Sequence, residues 1–546
     1  MTAFLRAASA LALLAACSTT SGGDGSWPDG QDASAERFRA HVETLASDAY
    51  EGREAGTPGY DRAVDYVTAA YERLGVQPAG DEGYLQQVPL RRAVVAYGEQ
   101  TALRFSPPEG AARVLAPVAD FLAMAPTATD PGALGAAIAV TDQPLAFVGY
   151  GIDAPSLGVD SYGDVDVAGR VAVMVMGSPD GLPSEEGAHW AGTAARIDAA
   201  LRRGATGVLF VVDAPSDEKT VARRQRWATA PSDTFAGRAP RREGIPSAYV
   251  FRDAAEAMLA ASGRGIDTVL EDPSAFAMEG TIDLATAATY ENYESPNVVG
   301  IIEGTDPALR DEVVVLSAHL DHVGVDADHG DDEEGGDAIH NGAMDNATGI
   351  ATLLEVAERF RTEGAPKRSV MLLAVTAEEK GLLGSDYFAR YPTVARRDVV
   401  ANVNLDMPVL LYDFQDVIAF GAEHSTLKGL VADAASSMDV ALTPDPYPEM
   451  VLFVRSDHYS FVKQGVPSVF LFLGTQNGGE DAFKSFMSTH YHRVSDEPDL
   501  PILYDVAARF AELNYRIARR IAEAEARPDW NEGDFFGDLA ADEPGA

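Results

Sequence analysis

The chain has 546 residues, too many for one ordinary core, and its 46% hydrophobic content with 8% aromatics is that of a globular protein. Lys and Arg number 42 against 84 Asp and Glu, a formal charge of −42. That balance argues against nucleic acid as a partner, because phosphate binding needs clustered cations, and reads instead as a means of keeping a secreted protein soluble.

In chain order, Arg6 precedes an apolar run from Ala7 to Ala16 that is long enough for a signal peptide and too short to span a bilayer. The run ends in Leu14-Ala15-Ala16-Cys17, which resembles the bacterial lipobox. The resemblance implies a signal peptide over 1–17 and a lipid anchor on Cys17. With Ser18 rather than aspartate next, it implies the outer membrane, facing the periplasm or the exterior. Cys17 is the single cysteine, so an intramolecular disulfide and a cysteine-ligated zinc are both excluded.

Residues 18–34, rich in Ser, Thr, Gly, Asp and Pro, read as a flexible tether. Within the first segment, 35–134, a helical face recurs from Ala35 to Leu74, first at Phe38, Val42 and Leu45 and again at Tyr66, Val67, Ala70, Tyr71 and Leu74, with a Gly/Pro loop from Glu51 to Gly59 between. Residues 135–285 change texture: short apolar runs such as Arg170–Met176 and Gly207–Val212 stand between Gly/Pro/Asp turns, a β-rich module. From 286 to 526 continuous apolar runs (Val313–Ala318, Ser369–Thr376, Val399–Leu405, Val466–Leu473) alternate with helical patterns, the last from about Leu503 to Ala524. That alternation predicts an α/β fold, a mostly parallel mixed sheet with helices on both faces, interrupted by the β-rich module. The acidic tail 527–546 reads as only partly ordered.

The polar residues fall at informative places. Three runs end in Ala318-His319-Leu320-Asp321, Ala377-Glu378-Glu379 and Leu405-Asp406. In an open α/β sheet the carboxyl ends of the strands form the ligand crevice, so one edge receives a histidine and several carboxylates. Asp345 lies just before a helix, and His492 shortly before the last one.

These segments, AHLDH, NGAMDNATG, TAEEKGLLGS, NVNLDMP and YHRVSDEPD, resemble in order those of the M28 family of co-catalytic zinc peptidases, over residues 296–500. The resemblance implies two zinc ions bridged by Asp345, one completed by His319 and Asp406, the other by Glu379 and His492. It makes Glu378 the general base and Tyr491 the donor to the tetrahedral oxyanion. Asp321 is expected to orient His319 through its second ring nitrogen. Arg455, Asp457 and His458 resemble a segment near the substrate pocket. His322 and His490 are not metal positions in the family pattern.

Phe147–Ile152, Asp164–Val171 and Arg203–Val208 resemble the protease-associated (PA) domain inserted into many such peptidases, with a role in substrate access. The activity implied is an exopeptidase acting on peptides, in the first place an aminopeptidase. An M28-type carboxypeptidase, a glutaminyl cyclase and a catalytically inactive peptide-binding lipoprotein stay open, as do oligomeric state and calcium binding by the acidic loop 326–337.

Overall fold

A computed structural model describes residues 31–541, apart from 129, 131, 180, 215, 216, 237–243 and 327–335. Cys17 and most of the acidic loop 326–337 lie outside the described residues. No described helix is long and apolar enough to cross a membrane.

The chain opens with helices α1 (Gln31–Leu45), which starts inside the segment read as a tether, and α2 (Pro58–Leu74). Local chemistry fixes both ends of α2. The Thr57 side chain accepts from the Tyr60 N–H, Pro58 occupies the first turn, and Gly75 closes the helix at φ 72°, where a side chain would be strained. The faces carrying Phe38, Val42, Leu45, Val67 and Tyr71 are buried in the main core.

Strand β1 (Leu85–Val95) then leads into the inserted module. There β2 (Gly135–Phe147), β3 (Val171–Val175), β4 (Gly207–Val212) and β5 (Ser247–Phe251) pair in parallel, in that order. Parallel neighbours need crossovers: a short hairpin and turn connect β2 to β3, whereas helices α3 (Ser184–Ala191) and α4 (Thr193–Arg202) connect β3 to β4. The module is therefore α/β, not simply β-rich. Its core also takes Leu103, Phe105, Leu115 and Phe121, so the insertion begins just after β1 and not at 135.

Strand β6 (Phe276–Ile302) runs for 27 residues. It pairs antiparallel with β2 at its start and with β1 through its middle, so no linker separates module from main body near 285. After it come β7 (Val313–His319), α5 (Thr348–Glu363), β8 (Ser369–Val375), α6 (Leu383–Arg390) and β9 (Val399–Asn404). Then follow β10 (Asp416–Phe420), β11 (Ser468–Leu473) and α7 (Tyr504–Glu523).

The main sheet runs β6-β8-β7-β9-β11-β10; its four central strands are parallel, while β6 and β10 join antiparallel. Both faces are covered, as the continuous apolar runs require. Val314, Leu316 and Ala318 face α5 and α7, whereas Val313 and Val315 face Phe388 and Phe461. Each buried Val, Leu or Phe side chain among them contributes about 1.5–3 kcal/mol.

The described residues after 527 are not loose. Trp530 and Phe535 pack against the main core, Phe536 is buried within it, and α8 (Phe535–Ala541) forms. The segment's acidic composition conceals three aromatic anchors.

Candidate metal centre

Because β8, β7 and β9 are adjacent and parallel, their carboxyl ends emerge together, bringing His319, the pair Glu378-Glu379 and Asp406 to one edge. Asp345 enters from the turn before α5. Gly342 makes that turn possible: at φ 58° its position already disfavours a side chain, and a Cβ there would lie 2.2 Å from the Asp345 carbonyl oxygen. His492 approaches from the loop before α7, itself at φ 55°.

Asp345 faces two ways. Its Oδ1 lies 3.2 Å from His319 Nε2, which is also 3.1 Å from Asp406 Oδ1. Its Oδ2 lies 3.2 Å from His492 Nε2, which is 3.1 Å from Glu379 Oε2. Charge-assisted hydrogen bonds are shorter, about 2.7–2.9 Å. A tetrahedral shell with ligand bonds of roughly 2.0 Å has edges of about 3.3 Å, close to what these donors span. The donor set, imidazole nitrogens and carboxylate oxygens with no thiolate, suits zinc.

His322 differs. Its Nδ1 is 2.7 Å from Glu379 Oε1 and 4.0 Å from Asp345 Oδ2. Proximity makes His322, Asp345 and Glu379 a possible ligand trio. The short contact to Glu379 is an ordinary hydrogen bond, which turns the other Glu379 oxygen towards His492. His490 lies apart, with Nδ1 3.0 Å from the Ser495 carbonyl and hydroxyl oxygens.

The supports are built from the backbone up. His319 Nδ1 lies 3.0 Å from the Asp321 carbonyl oxygen, which leaves Nε2 free to act as a ligand. The expected partner, the Asp321 carboxylate, does something else: it accepts the N–H groups of Glu378 and Glu379 at 3.1 and 3.3 Å. Residue 321 thus orients the histidine through its main chain and the Glu-Glu turn through its side chain. Asp496 fixes the Asp345 turn by accepting from the N–H groups of Met344 and Asp345 at 2.9 and 3.0 Å. Asn346 ties strand ends together, donating to Leu405 O and accepting from the N–H of Met407. Ser456 donates to Asp406 Oδ2 at 2.5 Å.

Arg53 is fully buried and donates to the carbonyls of Leu45, Leu320, Asn341 and Gly342, bracing both ligand turns from behind. Burial lowers its pKa to about 10, opposed by Asp496, Asp345 and Asp321. Sequence reading missed Arg53, Asn346 and Ser456. A GREAGTPG loop and two neutral polar residues carry no signal until the chain is folded.

Charge is crowded here. Burial pushes Glu378 well above the carboxylate range; His319 opposes this, and the charges of Glu379, Asp406 and Asp457 add to it. Despite burial and the charge of Asp345, hydrogen bonds from His322 and His492 hold Glu379 down to about 2. His492, against the effect of burial, is raised to about 10 by Asp345 and Glu379. A cluster with this many carboxylates per histidine calls for compensating cations.

The cleft above the cluster is lined by Glu378, Arg455 and Tyr491 on its polar side and by Met407, Leu452, Phe470, Phe472 and Met487 on its apolar side. The Tyr491 ring stacks on His492 at 3.9 Å, and its hydroxyl accepts from Arg455 Nη2 at 3.0 Å. Asp457 and His458, expected near substrate, are fully buried and do not line the cleft. The short helix His458–Val462 turns them inward. The His458 ring packs 5.2 Å from both Phe453 and Phe470, and burial lowers its pKa to about 3. Asp457 lies close enough to feel the charges of His319, Asp406 and Asp321.

A His, Asp and Glu cluster that could hold metal ions thus lies at the carboxyl edge of a parallel-centred α/β sheet. Residues 297–518 match the model of Peptidase family M28. Among curated relatives, the chain is 30% identical over 207 residues to a probable leucine aminopeptidase 2 of Aspergillus oryzae, covering 36% of this chain and 37% of that one. A probable glutamate carboxypeptidase of Arthroderma benhamiae is 30% identical over 118 residues, 21% of this chain and 14% of that one. The match therefore spans 37% of the length of the first of these relatives and 14% of the second. The solved aminopeptidase from Aneurinibacillus sp. strain AM-1 aligns at 16% identity and a TM-score of 0.49, covering 92% of this chain and 100% of the other.

Proposed function

We propose that the protein is a zinc-dependent aminopeptidase that holds two zinc ions. The observation that carries this reading is the two-way carboxylate of Asp345, with one oxygen 3.2 Å from His319 Nε2 and the other 3.2 Å from His492 Nε2. His319 and Asp406 would hold one ion beside Asp345 Oδ1, and Glu379 and His492 the other beside Oδ2. When bound, the pair supplies positive charge that offsets the crowded carboxylates, acidifies a water molecule and polarises the scissile carbonyl.

The chain's own groups do the rest. Glu378, at the cleft wall and held by the turn that Asp321 pins, takes a proton from the attacking water and passes it to the departing amine. Arg455 occupies an acceptor site of the Tyr491 hydroxyl, which leaves the phenolic proton to be donated to the developing oxyanion. Leu452, Phe470, Phe472 and Met487 offer an apolar pocket to the N-terminal side chain. The surrounding carboxylates favour a substrate ammonium over a substrate carboxylate.

Replacing Glu378 with Gln tests the mechanism. Hydrolysis of leucyl-p-nitroanilide should fall by about 10³-fold with zinc content unchanged; undiminished turnover would refute the assignment. Arg455, a guanidinium at the cleft, favours a second reading, carboxypeptidase action, and release of C-terminal residues from N-blocked peptides would establish it.

The same proposal takes the inserted module as a PA-type unit governing substrate access and Cys17 as the lipid anchor of an outer-membrane protein. Support for the anchor is the lipobox-like Leu14–Cys17. Loss of palmitate labelling in a Cys17→Ala variant would bear it out, and unchanged labelling would sink it.

A further inference from the structure

The segment after α7 crosses three parts of the molecule. Asp529 and Thr426 exchange hydrogen bonds, the Asn531 N–H donates to the His424 carbonyl, and Trp530 Nε1 donates to Gly465 O at 3.0 Å. Asp534 Oδ2 lies 2.6 Å from His424 Nδ1, and the other nitrogen of that ring is 2.7 Å from Glu185 Oε2 on α3 of the inserted module. Glu185 also accepts the Gly421 N–H at 2.9 Å. Phe535 packs against both the main core and a core of the inserted module.

Phe536 sits at the junction, with its ring fully buried. Its centroid lies 4.8 Å from that of His424 and 5.0 Å from that of Phe453. Phe453 follows Leu452, which lines the cleft, and precedes Arg455 and Ser456, which touch Tyr491 and Asp406. From the other side His189 of α3 packs edge-on to Phe536, and its Nδ1 lies 2.6 Å from the Tyr459 hydroxyl.

We propose that residues 529–539 form a clasp that holds the Leu452–Ser456 wall of the substrate cleft in register, with Phe536 as its positioning residue, so that this segment sets which N-terminal side chain is accepted. The clasp does not touch substrate; it acts through Phe453. A removed ring leaves the wall free to shift, and a displaced wall weakens binding of large apolar side chains more than it slows the chemistry. The inference rests on the aminopeptidase reading, so its test needs one measurement that does not depend on turnover.

In the full-length protein, Phe536→Ala should raise KM for leucyl- and phenylalanyl-p-nitroanilide by about tenfold, change kcat by less than about threefold, and narrow the preference for leucyl over alanyl substrate. Phe536→Leu should recover most of that preference. Asp534→Asn, which keeps the ring but weakens the ion pair to His424 and loosens the carboxylate that accepts the Phe536 and Gly537 N–H groups, serves if the alanine variant does not fold, and should shift KM in the same direction. Amide hydrogen exchange over 452–459 should quicken by about tenfold in Phe536→Ala, and in the same sense in Asp534→Asn, whether or not the enzyme turns over. Unchanged exchange together with unchanged KM and preference, at a merely lowered melting temperature, overturns the clasp. Faster exchange in a protein that cleaves no aminoacyl substrate keeps the clasp as a brace of the wall and overturns the aminopeptidase reading instead.

Discussion

Two clusters in this molecule set histidine among carboxylates, and their spacings differ. At the sheet edge His319 and His492 stand 3.1–3.2 Å from Asp345, Asp406 and Glu379. At the C-terminal junction His424 stands 2.6–2.7 Å from Glu185 and Asp534. The Asp534 contact is a charge-assisted hydrogen bond and the Glu185 contact a close ion pair, and the two together call for a protonated ring. The longer ones match the edges of a coordination shell, whose ring nitrogens must be unprotonated. The difference teaches that composition alone does not identify a metal site; spacing and the competing hydrogen bonds do.

The comparison breaks most visibly at Asp345. Asp345→Ala removes the carboxylate proposed to serve both ions, and should cut zinc per chain by at least half and lower leucyl-p-nitroanilide hydrolysis by about 10³-fold or more. Metal analysis of the dialysed protein beside its activity checks this. His424→Ala should leave zinc content at the wild-type value. Equal zinc loss in both variants would mean that spacing does not separate the two clusters.

A smaller effect is expected one step behind the ligands. Asp496 accepts the N–H groups of Met344 and Asp345, so Asp496→Asn keeps the shape and removes half of the acceptor capacity. Zinc affinity, measured by competition with a chromophoric chelator, should fall by about 10–100-fold, the usual cost of losing a partner that orients a ligand. Burial raises Asp496 to about 6, opposed by His322, so the charge lost in the variant is one the fold already strains to keep.

How much of this was legible in the sequence depends on what each residue's role rests on. Strands β7, β8 and β9 read directly because burial on both faces demands unbroken apolar runs, and runs that end in His or Glu announce a strand-end site. The start of the insertion did not read. Leu103 and Phe105 alternate with exposed Ala102 and Arg104, a pattern that any half-buried strand shows, and only folding reveals whose core they enter. Asp321 was recognised as an orienting residue, but sequence does not say whether carbonyl or carboxylate faces a ring. Asp457 and His458 are expected towards substrate because their segment resembles one near the substrate pocket, but resemblance of a segment does not fix which way each side chain turns, and both are buried. The tail misled most. Its acidic composition is that of a solvated end, while Trp530, Phe535 and Phe536 are what dock it.

The subtlest prediction separates the clusters by pH. His424, although burial opposes its charge, is raised from 6.5 to about 10 by the hydrogen-bonded carboxylate of Asp534 and the adjacent carboxylate of Glu185. Its neighbours are Glu186, whose pKa burial itself raises, and the uncharged rings of Phe453 and Phe536. A histidine whose folded pKa exceeds the unfolded one stabilises fully below the unfolded value and loses that contribution as pH rises through the folded value. The gain is therefore complete below about 6.5 and gone above about 10. Between pH 8 and pH 10.5 the melting temperature of the wild type should drop by about 2–4 °C more than that of His424→Gln, whose side chain does not titrate. Zinc content should stay constant over the same range. Parallel melting curves for the two proteins would show that the junction is not held by a protonated histidine, and the contrast between a hydrogen-bonded and a ligand-spaced cluster would lose its second half.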